Sequence, residues 1–348
     1  MVIATLTAAA LTWVTIPVIV LISNYLGIFE KNKKRGSHNG AIPTLGGVAI
    51  FFGIVIAAAF FTPVAIIDQY RYILAAMVIL FFTGLKDDLM VIDPKKKMLV
   101  QIIVALVMIL MADVRITTFH GFANIEEIPY WISIIFSVFL YLVIINGFNL
   151  IDGIDGLSSG VAIFGSLTFG ILFIIAGGYD YSFQAFILAG SLIAFFRFNV
   201  FSTRNKIFLG DTGSLTIGFL MALITISFLE CDYIGSFSKF ITSIPVMTFG
   251  ILIVPLFDTL RVFTIRLVRG ESPMKADRKH IHHRLLELGF THLKATLLIL
   301  SANLIILIAI LIFRELRGLY LVTIVLLLAA GLSYIPVYLV DKRGRGKF

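Results

Sequence analysis

The chain has 348 residues, of which 59% are hydrophobic and only 14% are charged, and its mean hydropathy is +1.02. Ordinary soluble domains do not have this composition, so the sequence predicts an all-α, polytopic membrane protein. The formal net charge of +8 does not indicate nucleic-acid binding, because the basic residues form short clusters between apolar runs. The single cysteine, Cys231, excludes an internal disulfide framework and a multi-cysteine metal site, so oxygen or histidine would hold any metal.

The start of the chain predicts a retained membrane span. Its first residues lack the basic region of a cleaved signal peptide, and the apolar run extends to Leu26. A helical span needs about 20 apolar residues, and eleven segments approach that length. The predicted spans cover residues 3–26, 44–62, 70–85, 99–113, 131–147, 158–176, 183–198, 212–229, 245–265, 295–313 and 318–340. We expect them to form a single transmembrane domain, residues 1–348, without a soluble domain.

The lysine and arginine residues predict the orientation of these spans. Most of the 28 fall in one set of alternating loops, and basic loops stay on the cytoplasmic side of a membrane. The N-terminus is therefore expected outside and the C-terminus in the cytoplasm. The same assignment places four polar segments together on the cytoplasmic side. They are residues 86–88, 146–160, 208–214 and 277–284.

The segment at residues 146–160 follows a long apolar run and carries two amides and two carboxylates, Asn146, Asn149, Asp152 and Asp155. An unpaired carboxylate in hydrocarbon is costly, so these groups lie at the water interface or bind a partner such as a metal ion. A polar helix end capped by the same side chains is the simpler explanation. A calcium loop is not indicated, because the D-x-D-x-D-G spacing is absent.

Two other segments carry carboxylates. Asp87 and Asp88 end an apolar run, and adjacent carboxylates need water, a cation or a shared proton. They are interpreted either as a magnesium or acid–base pair facing a phosphate, or as a solvated helix end. Asp211 lies between glycines just before an apolar helix, where a metal-bound diphosphate fits, although N-capping by Asp211 or Ser214 would also explain it.

The basic segments are less specific. The segment HIHHR, residues 280–284, lacks the cysteines or the HExxH motif of zinc sites, so we favour hydrogen bonds to phosphate or sugar oxygens over a solvated loop. In the first cytoplasmic loop, His38 and the glycine pair 46–47 suggest ligand approach or tight helix packing. Residues 95–97 are three lysines, which we interpret as a cytoplasmic anchor rather than a site.

Carboxylates for magnesium, basic groups for a diphosphate and a location at the membrane edge together predict a reaction class. It is the transfer of a phosphate-containing group from a water-soluble donor to a lipid phosphate. The main rival is a cation-coupled membrane carrier with Asp152, Asp155 and Asp211 along its pathway. Carrier sites generally lie near the bilayer midplane, whereas these carboxylates are predicted at the inner ends of spans.

Five motifs, in their order along the chain, resemble the polyprenyl-phosphate N-acetylhexosamine-1-phosphate transferases. They are IPTLGG (42–47), KDD (86–88), NGFNLIDGIDGL (146–157), FLGDTGS (208–214) and HIHHR (280–284). The resemblance extends from about Lys33 to Leu288. The HIHHR motif and the eleven spans are similar to the bacterial branch that transfers GlcNAc-1-phosphate to undecaprenyl phosphate. The phospho-MurNAc-pentapeptide branch, with a different histidine motif, is the alternative.

The resemblance implies that N-acetylhexosamine-1-phosphate passes from a UDP-sugar to undecaprenyl phosphate, with release of UMP. It implies Mg²⁺ on the diphosphate, with Mn²⁺ as a substitute, and a substrate-recognition loop at residues 266–294. It further implies a homodimeric enzyme of the bacterial inner membrane, acting in cell-envelope glycan synthesis, with its active site on the cytoplasmic face.

By motif, the resemblance also assigns roles to residues. Asp211 is the expected main metal ligand, and Asn149 the second. The expected catalytic residues are Asp87, Asp88, Asp152, Asp155, His282 and His283, with Asp88 orienting or deprotonating the lipid phosphate. The expected substrate-binding residues are His38, Asn146, Asn149, Gly153, Ile154, Phe208, His280 and Arg284, with Phe208 stacking on uridine. Many members have an acid or amide three positions after the Asp pair, but this chain has Val91 there, so Asp93 is given no role.

Overall fold

The computed structural model describes residues 1–29, 42–231, 243–268, 270 and 280–345. Within these ranges the chain is helical, and β pairing is limited to an isolated bridge between Thr118 and Glu127. The α-helices are α1 (Val2–Leu26), α2 (Gly46–Phe61), α3 (Ile67–Leu89), α4 (Pro94–Met111), α5 (Tyr130–Ile151), α6 (Leu157–Ala176), α7 (Tyr179–Phe201), α8 (Gly210–Leu229), α9 (Ile244–Gly250), α10 (Ile253–Val268), α11 (Ile281–Glu287), α12 (His292–Ile312) and α13 (Gly318–Arg345). The all-α prediction is confirmed for the residues described.

The chain is a polytopic membrane protein. In its described part, eight helices are long and apolar enough to cross a membrane, and a ninth crossing results if the bent pair of α9 and α10 counts as one. These eight are α1, α3, α5, α6, α7, α8, α12 and α13. Of the other predicted spans, α2 has only 16 residues, and α4 carries three lysines in its first turn. Every predicted span therefore coincides with a helix or a helix pair, but length and composition alone do not give eleven crossings.

The predicted span at residues 245–265 corresponds to a broken helix. α9 and α10 meet at a bend of 80°. Pro255 explains the break, because proline has no N–H to donate to the carbonyl of Ile251 and its ring clashes with a preceding helical turn. A helix tolerates proline in its first turn, and α10 accordingly begins at Ile253.

α8 lies at the centre of the molecule and positions the site. It is buried along its apolar length and contacts α2, α3, α5 and α6. A Cβ atom added to Gly84 of α3 would lie 2.5 Å from the Cα of Thr212, and one added to Gly47 of α2 would lie 2.1 Å from the nitrogen of Gly213. Because no larger side chain fits, α2 and α3 pack directly against the backbone of α8. This packing brings the ends of both helices to the first turn of α8.

Candidate active site

The segment before α8 is held by backbone hydrogen bonds to the segment before α2. The nitrogen of Gly46 donates to the carbonyl oxygen of Phe208 at 2.9 Å, and the nitrogen of Phe208 donates to the carbonyl oxygen of Pro43 at 2.8 Å. Gly210 follows with a φ of 72°, which a residue with a Cβ atom rarely adopts. Two motifs far apart in the sequence thus form one surface.

Asp88, in the last turn of α3, caps the first turn of α8. Its Oδ1 accepts a hydrogen bond from the backbone nitrogen of Asp211 at 2.7 Å. Its Oδ2 accepts from the backbone nitrogen and the hydroxyl of Thr212, at 3.0 and 2.5 Å. The first N–H groups of a helix lack intrahelical partners, and a carboxylate satisfies them. α8 is therefore capped from α3, and not by Asp211 or Ser214.

Lys97, in the first turns of α4, joins Asp87 to Asp211. Its Nζ donates to Oδ2 of Asp87 at 3.0 Å and to Oδ1 of Asp211 at 2.6 Å. The Lys97 side chain is only 13% exposed, whereas Lys95 and Lys96 are exposed. The interpretation of all three lysines as a membrane anchor is therefore wrong for Lys97.

Asn149, in the last turn of α5, completes this arrangement. Its Nδ2 donates to Oδ1 of Asp211 and, at 2.8 Å, to the hydroxyl of Ser214. We call the group the acid–lysine cluster, and it consists of Asp87, Asp88, Lys97, Asn149 and Asp211. The cluster lies where α3 and α5 end and where α4 and α8 begin.

The acid–lysine cluster offers oxygen ligands that suit magnesium. Oδ2 of Asp87 and Oδ1 of Asp211 both face the ammonium group of Lys97, so two carboxylates already converge on one cationic position. Mg²⁺ is usually held by one or two carboxylates together with water and substrate phosphates. Among the residues that the structure describes, no three Asp, Glu, His or Cys side chains form a group able to hold a metal alone. The two carboxylates therefore suit an ion whose other ligands are water or phosphate oxygens.

The loop between α5 and α6, residues 152–156, carries a second charged group. Oδ2 of Asp155 accepts a hydrogen bond from Nζ of Lys206 at 2.7 Å and lies 3.3 Å from Nδ1 of His292. Nζ of Lys206 also lies 5.9 Å from the ring centre of Phe208. Burial would raise the pKa of Asp155, but hydrogen bonds from His292 and Lys206, with their positive charges, hold this pKa below its usual value. Asp155 is therefore an ionised carboxylate at neutral pH.

The histidine segment, residues 280–284, packs against the same loop. His282 is 1% exposed, and a Cβ atom added to Gly153 would lie 2.6 Å from its Nε2, so the ring touches the loop backbone. The His282 and His283 rings lie 4.2 Å apart. Burial, reinforced by the charges of the neighbouring histidines, lowers the pKa of His282 to about 3. The His282 ring is therefore neutral at pH 7.

Two predicted substrate-binding residues have other partners. Asn146 donates from Nδ2 to Oε1 of Gln101 at 2.7 Å, which links α5 to α4. Arg284 donates from Nη1 to Oε2 of Glu287 at 2.8 Å, along α11. Neither residue contacts the acid–lysine cluster through these bonds, so their predicted roles stay predictions.

The remaining predicted residues are placed as follows. Ile154 is buried, and Asp152 is half-buried just after the end of α5. His38 lies outside the described residues, as do residues 271–279 of the predicted recognition loop 266–294.

Sequence reasoning missed four residues of the site: Lys97, Lys206, His292 and Asp258. Asp258, in α10, accepts a hydrogen bond from Nδ1 of His280 at 3.0 Å. Asp258 did give a signal, because it interrupts an apolar run that forms a predicted span. Lys206 and His292 gave none, since lone basic residues beside spans are common.

Comparison with known proteins gives consistent results. Residues 70–229 match the family described as "Glycosyl transferase family 4". A protein of Yersinia pestis is 31% identical over 280 residues, which cover 80% of this chain and 74% of that protein. A protein of Escherichia coli strain K12 is 29% identical over 288 residues, which cover 81% of this chain and 75% of that protein. Both carry the name undecaprenyl-phosphate alpha-N-acetylglucosaminyl 1-phosphate transferase.

Proposed function

Since the chain belongs to the undecaprenyl-phosphate N-acetylglucosaminyl 1-phosphate transferases of glycosyl transferase family 4, we propose that it transfers GlcNAc-1-phosphate from UDP-GlcNAc to undecaprenyl phosphate. An oxygen of the lipid phosphate attacks the phosphorus that carries the sugar, the bond from that phosphorus to the bridging oxygen breaks, and UMP leaves. The observation that carries the proposal is the convergence of Asp87 and Asp211 on one cationic position at the start of α8.

The acid–lysine cluster is proposed to bind the diphosphate and its metal ion. Asp211 and Asp87 would hold Mg²⁺, Asn149 would add its carbonyl oxygen after rotation of its amide, and Mn²⁺ would take the same ligands. A bound ion would neutralise the negative charge of the diphosphate. Lys97, which lies between the two carboxylates, turns to donate to a diphosphate oxygen and stabilises the charge that develops on it.

Asp88 is proposed to act chiefly through the position of Asp211. Both of its carboxylate oxygens accept hydrogen bonds from the first turn of α8, and one of these bonds comes from the nitrogen of Asp211 itself. The predicted role beside the lipid phosphate would require Asp88 to release part of this cap. The capping contacts therefore support a positioning role over a proton-abstracting one.

The loop and the histidine segment are proposed to bind the UDP-sugar. Phe208 stacks on uridine at the edge of the site next to Lys206, and the backbone at Gly153 contacts the nucleotide. His282 is neutral and touches Gly153, so it exchanges hydrogen bonds with the sugar or the diphosphate without adding charge. His283 and Arg284 add donors from α11.

The membrane arrangement in this proposal has eleven crossings. α2, α4 and the bent pair of α9 and α10 complete the eight helices that qualify by length and composition. The distribution of Lys and Arg supports an N-terminus outside and a C-terminus and active site on the cytoplasmic side of a bacterial inner membrane. A homodimer is the proposed assembly, as in the family resembled.

The proposal is tested by giving the purified protein undecaprenyl phosphate and Mg²⁺ together with one donor at a time. The donors are UDP-GlcNAc, UDP-GalNAc and UDP-MurNAc-pentapeptide, and the readout is released UMP. We expect turnover with UDP-GlcNAc and loss of turnover in a folded Asp211→Asn variant. Turnover with the pentapeptide donor alone would assign the protein to the phospho-MurNAc-pentapeptide branch. Absence of turnover with all three donors would favour a cation-coupled membrane carrier.

A further inference from the structure

Asp258 is a buried carboxylate whose hydrogen bonds converge on the histidine segment. It is 3% exposed and borders a cavity that is otherwise lined mainly by aliphatic side chains, with His282 as the other polar residue. A charged group in such surroundings is stable only with hydrogen-bond partners. Its Oδ1 accepts from Nη2 of Arg261 at 2.8 Å, and its Oδ2 accepts from Nδ1 of His280 at 3.0 Å and from the nitrogen of Ile281 at 3.2 Å.

These bonds fix the start of α11 in two ways. The bond to the nitrogen of Ile281 holds the backbone, because this residue is the first of α11. The bond from Nδ1 of His280 fixes the plane of that ring and places a proton on Nδ1. A single buried carboxylate therefore sets both the path of the chain and the orientation of the first histidine.

The fixed ring of His280 lies beside the ring of His282. The two rings are nearly parallel, with an interplanar angle of 9° and centroids 5.7 Å apart. His282 in turn touches the loop at Gly153. Its Nε2 is buried and has no hydrogen-bond partner among the described residues, which is uncommon in a folded protein and points to a group that meets a ligand.

We propose that Asp258 is a positioning residue for sugar-phosphate transfer. It holds His280 and the first turn of α11 so that the ring of His282 faces the substrate beside Gly153. Asp258 itself touches no substrate and acts through the histidines. This inference rests on the proposed function, because the reaction supplies the substrate that His282 meets.

The test is a double-mutant cycle in the whole protein, with Asp258→Asn, His280→Ala and the combination of both. Asparagine has the shape of aspartate, but it lacks the charge and turns an amide group toward donors that the carboxylate satisfied. The control is Thr264→Val on the same helix, since the Thr264 hydroxyl binds only the carbonyl of Leu260 one turn earlier. For each variant, kcat and KM for UDP-GlcNAc are measured together with the thermal unfolding midpoint.

We expect each single substitution to lower kcat about ten- to hundredfold, the usual loss when a partner that orients a site histidine is removed. Because both substitutions remove the bond between Asp258 and His280, the double variant should lose less than the product of the two single losses. Asp258→Glu, which keeps the charge, should recover part of the rate, and Thr264→Val should behave like the wild type. The unfolding midpoint of Asp258→Asn should fall, because buried donors lose an acceptor, whereas that of Thr264→Val should stay close to that of the wild type.

Other outcomes overturn the inference. Losses that multiply in the double variant would show that Asp258 acts independently of His280, and a wild-type kcat in Asp258→Asn would exclude positioning. If Asp258→Asn does not fold, the cycle is run with Asp258→Glu, and the same criterion of non-additivity applies. A wild-type protein without turnover would instead refute the proposed function.

Discussion

Nζ of Lys97 lies 2.6 Å from Oδ1 of Asp211, although the two residues are 114 positions apart in the sequence. The same ammonium group lies 3.0 Å from Oδ2 of Asp87, so one lysine connects α3, α4 and α8. Charge-assisted hydrogen bonds of this kind are strong where water is scarce. The candidate active site therefore depends on contacts among these helices more than on any single motif.

Lys97→Met should remove most of the activity, whereas Lys95→Met should not. Lys97 lies between the carboxylates that are proposed to bind the diphosphate, and losing one such donor typically lowers kcat by about 10²–10³-fold. Lys95 is exposed and serves as the matched control in the same helical turn. Both variants are compared by UMP release in lipid nanodiscs. Equal rates for the two variants would remove Lys97 from the mechanism.

Gly84→Ala should destabilise the protein and impair catalysis together. The added methyl group would lie 2.5 Å from the Cα of Thr212, so α3 must move away from α8 and draw Asp88 from its cap. Such overpacking costs about 1–3 kcal/mol. Gly331→Ala in α13 is the control, because nothing lies within 4 Å of its new Cβ. The measurements are the thermal unfolding midpoint and the turnover rate of both variants. A Gly84→Ala protein with the midpoint and rate of the wild type would contradict the close packing.

Asp88→Asn should lower the unfolding midpoint of the protein. The substitution replaces one acceptor oxygen by an amide nitrogen that points its own donors at the N–H group of either Asp211 or Thr212. Leaving such groups unsatisfied costs about 1–3 kcal/mol. Thr212→Val, which removes one contact of the same cap, should cause a smaller decrease. If Asp88 served catalysis alone, Asp88→Asn would lose activity at an unchanged midpoint.

His282 should make the protein sensitive to acid. Its pKa is about 3 in the folded protein and near 6.5 in the unfolded chain, so only the unfolded state binds the proton between these values. The free energy of unfolding therefore falls as the pH decreases through this window, by about 2 kcal/mol from pH 7 to 5. Asp155, with its lowered pKa, is ionised throughout that interval and contributes only at lower pH.

The measurement for this prediction is the unfolding midpoint of wild type and of His282→Gln between pH 7 and 5, which covers the upper part of the window between the two pKa values of His282. The wild-type midpoint should fall more steeply than that of the variant. Identical slopes would show that His282 is not held neutral in the folded protein.

Much of the site could be predicted from the sequence because its polar segments interrupt apolar runs. Loop charges placed these segments on one side of the membrane, and contacts now confirm that they meet. Asp88 and Asn149 both reach Asp211, and His282 touches Gly153. The family resemblance, carried by the same segments, agrees with the comparisons.

Other features depend on packing that the sequence does not display. Lys97 looks like its two exposed neighbours, and only its helical register with the buried Gln101 one turn later sets it apart. Asp258 contacts His280, which lies 22 positions later in the chain, and the predicted span that holds Asp258 bends by 80° between α9 and α10. Pro255 was the available signal for that bend, because proline marks a first helical turn.

The central claim is that the chain transfers a sugar phosphate rather than a sugar, and the leaving nucleotide tests it most directly. Purified protein in nanodiscs with undecaprenyl phosphate, Mg²⁺ and UDP-GlcNAc should release UMP in equal amount to the lipid-linked GlcNAc formed. The Asp211→Asn variant should release none. Release of UDP instead of UMP, or equal rates in wild type and variant, would contradict the proposed reaction and its site.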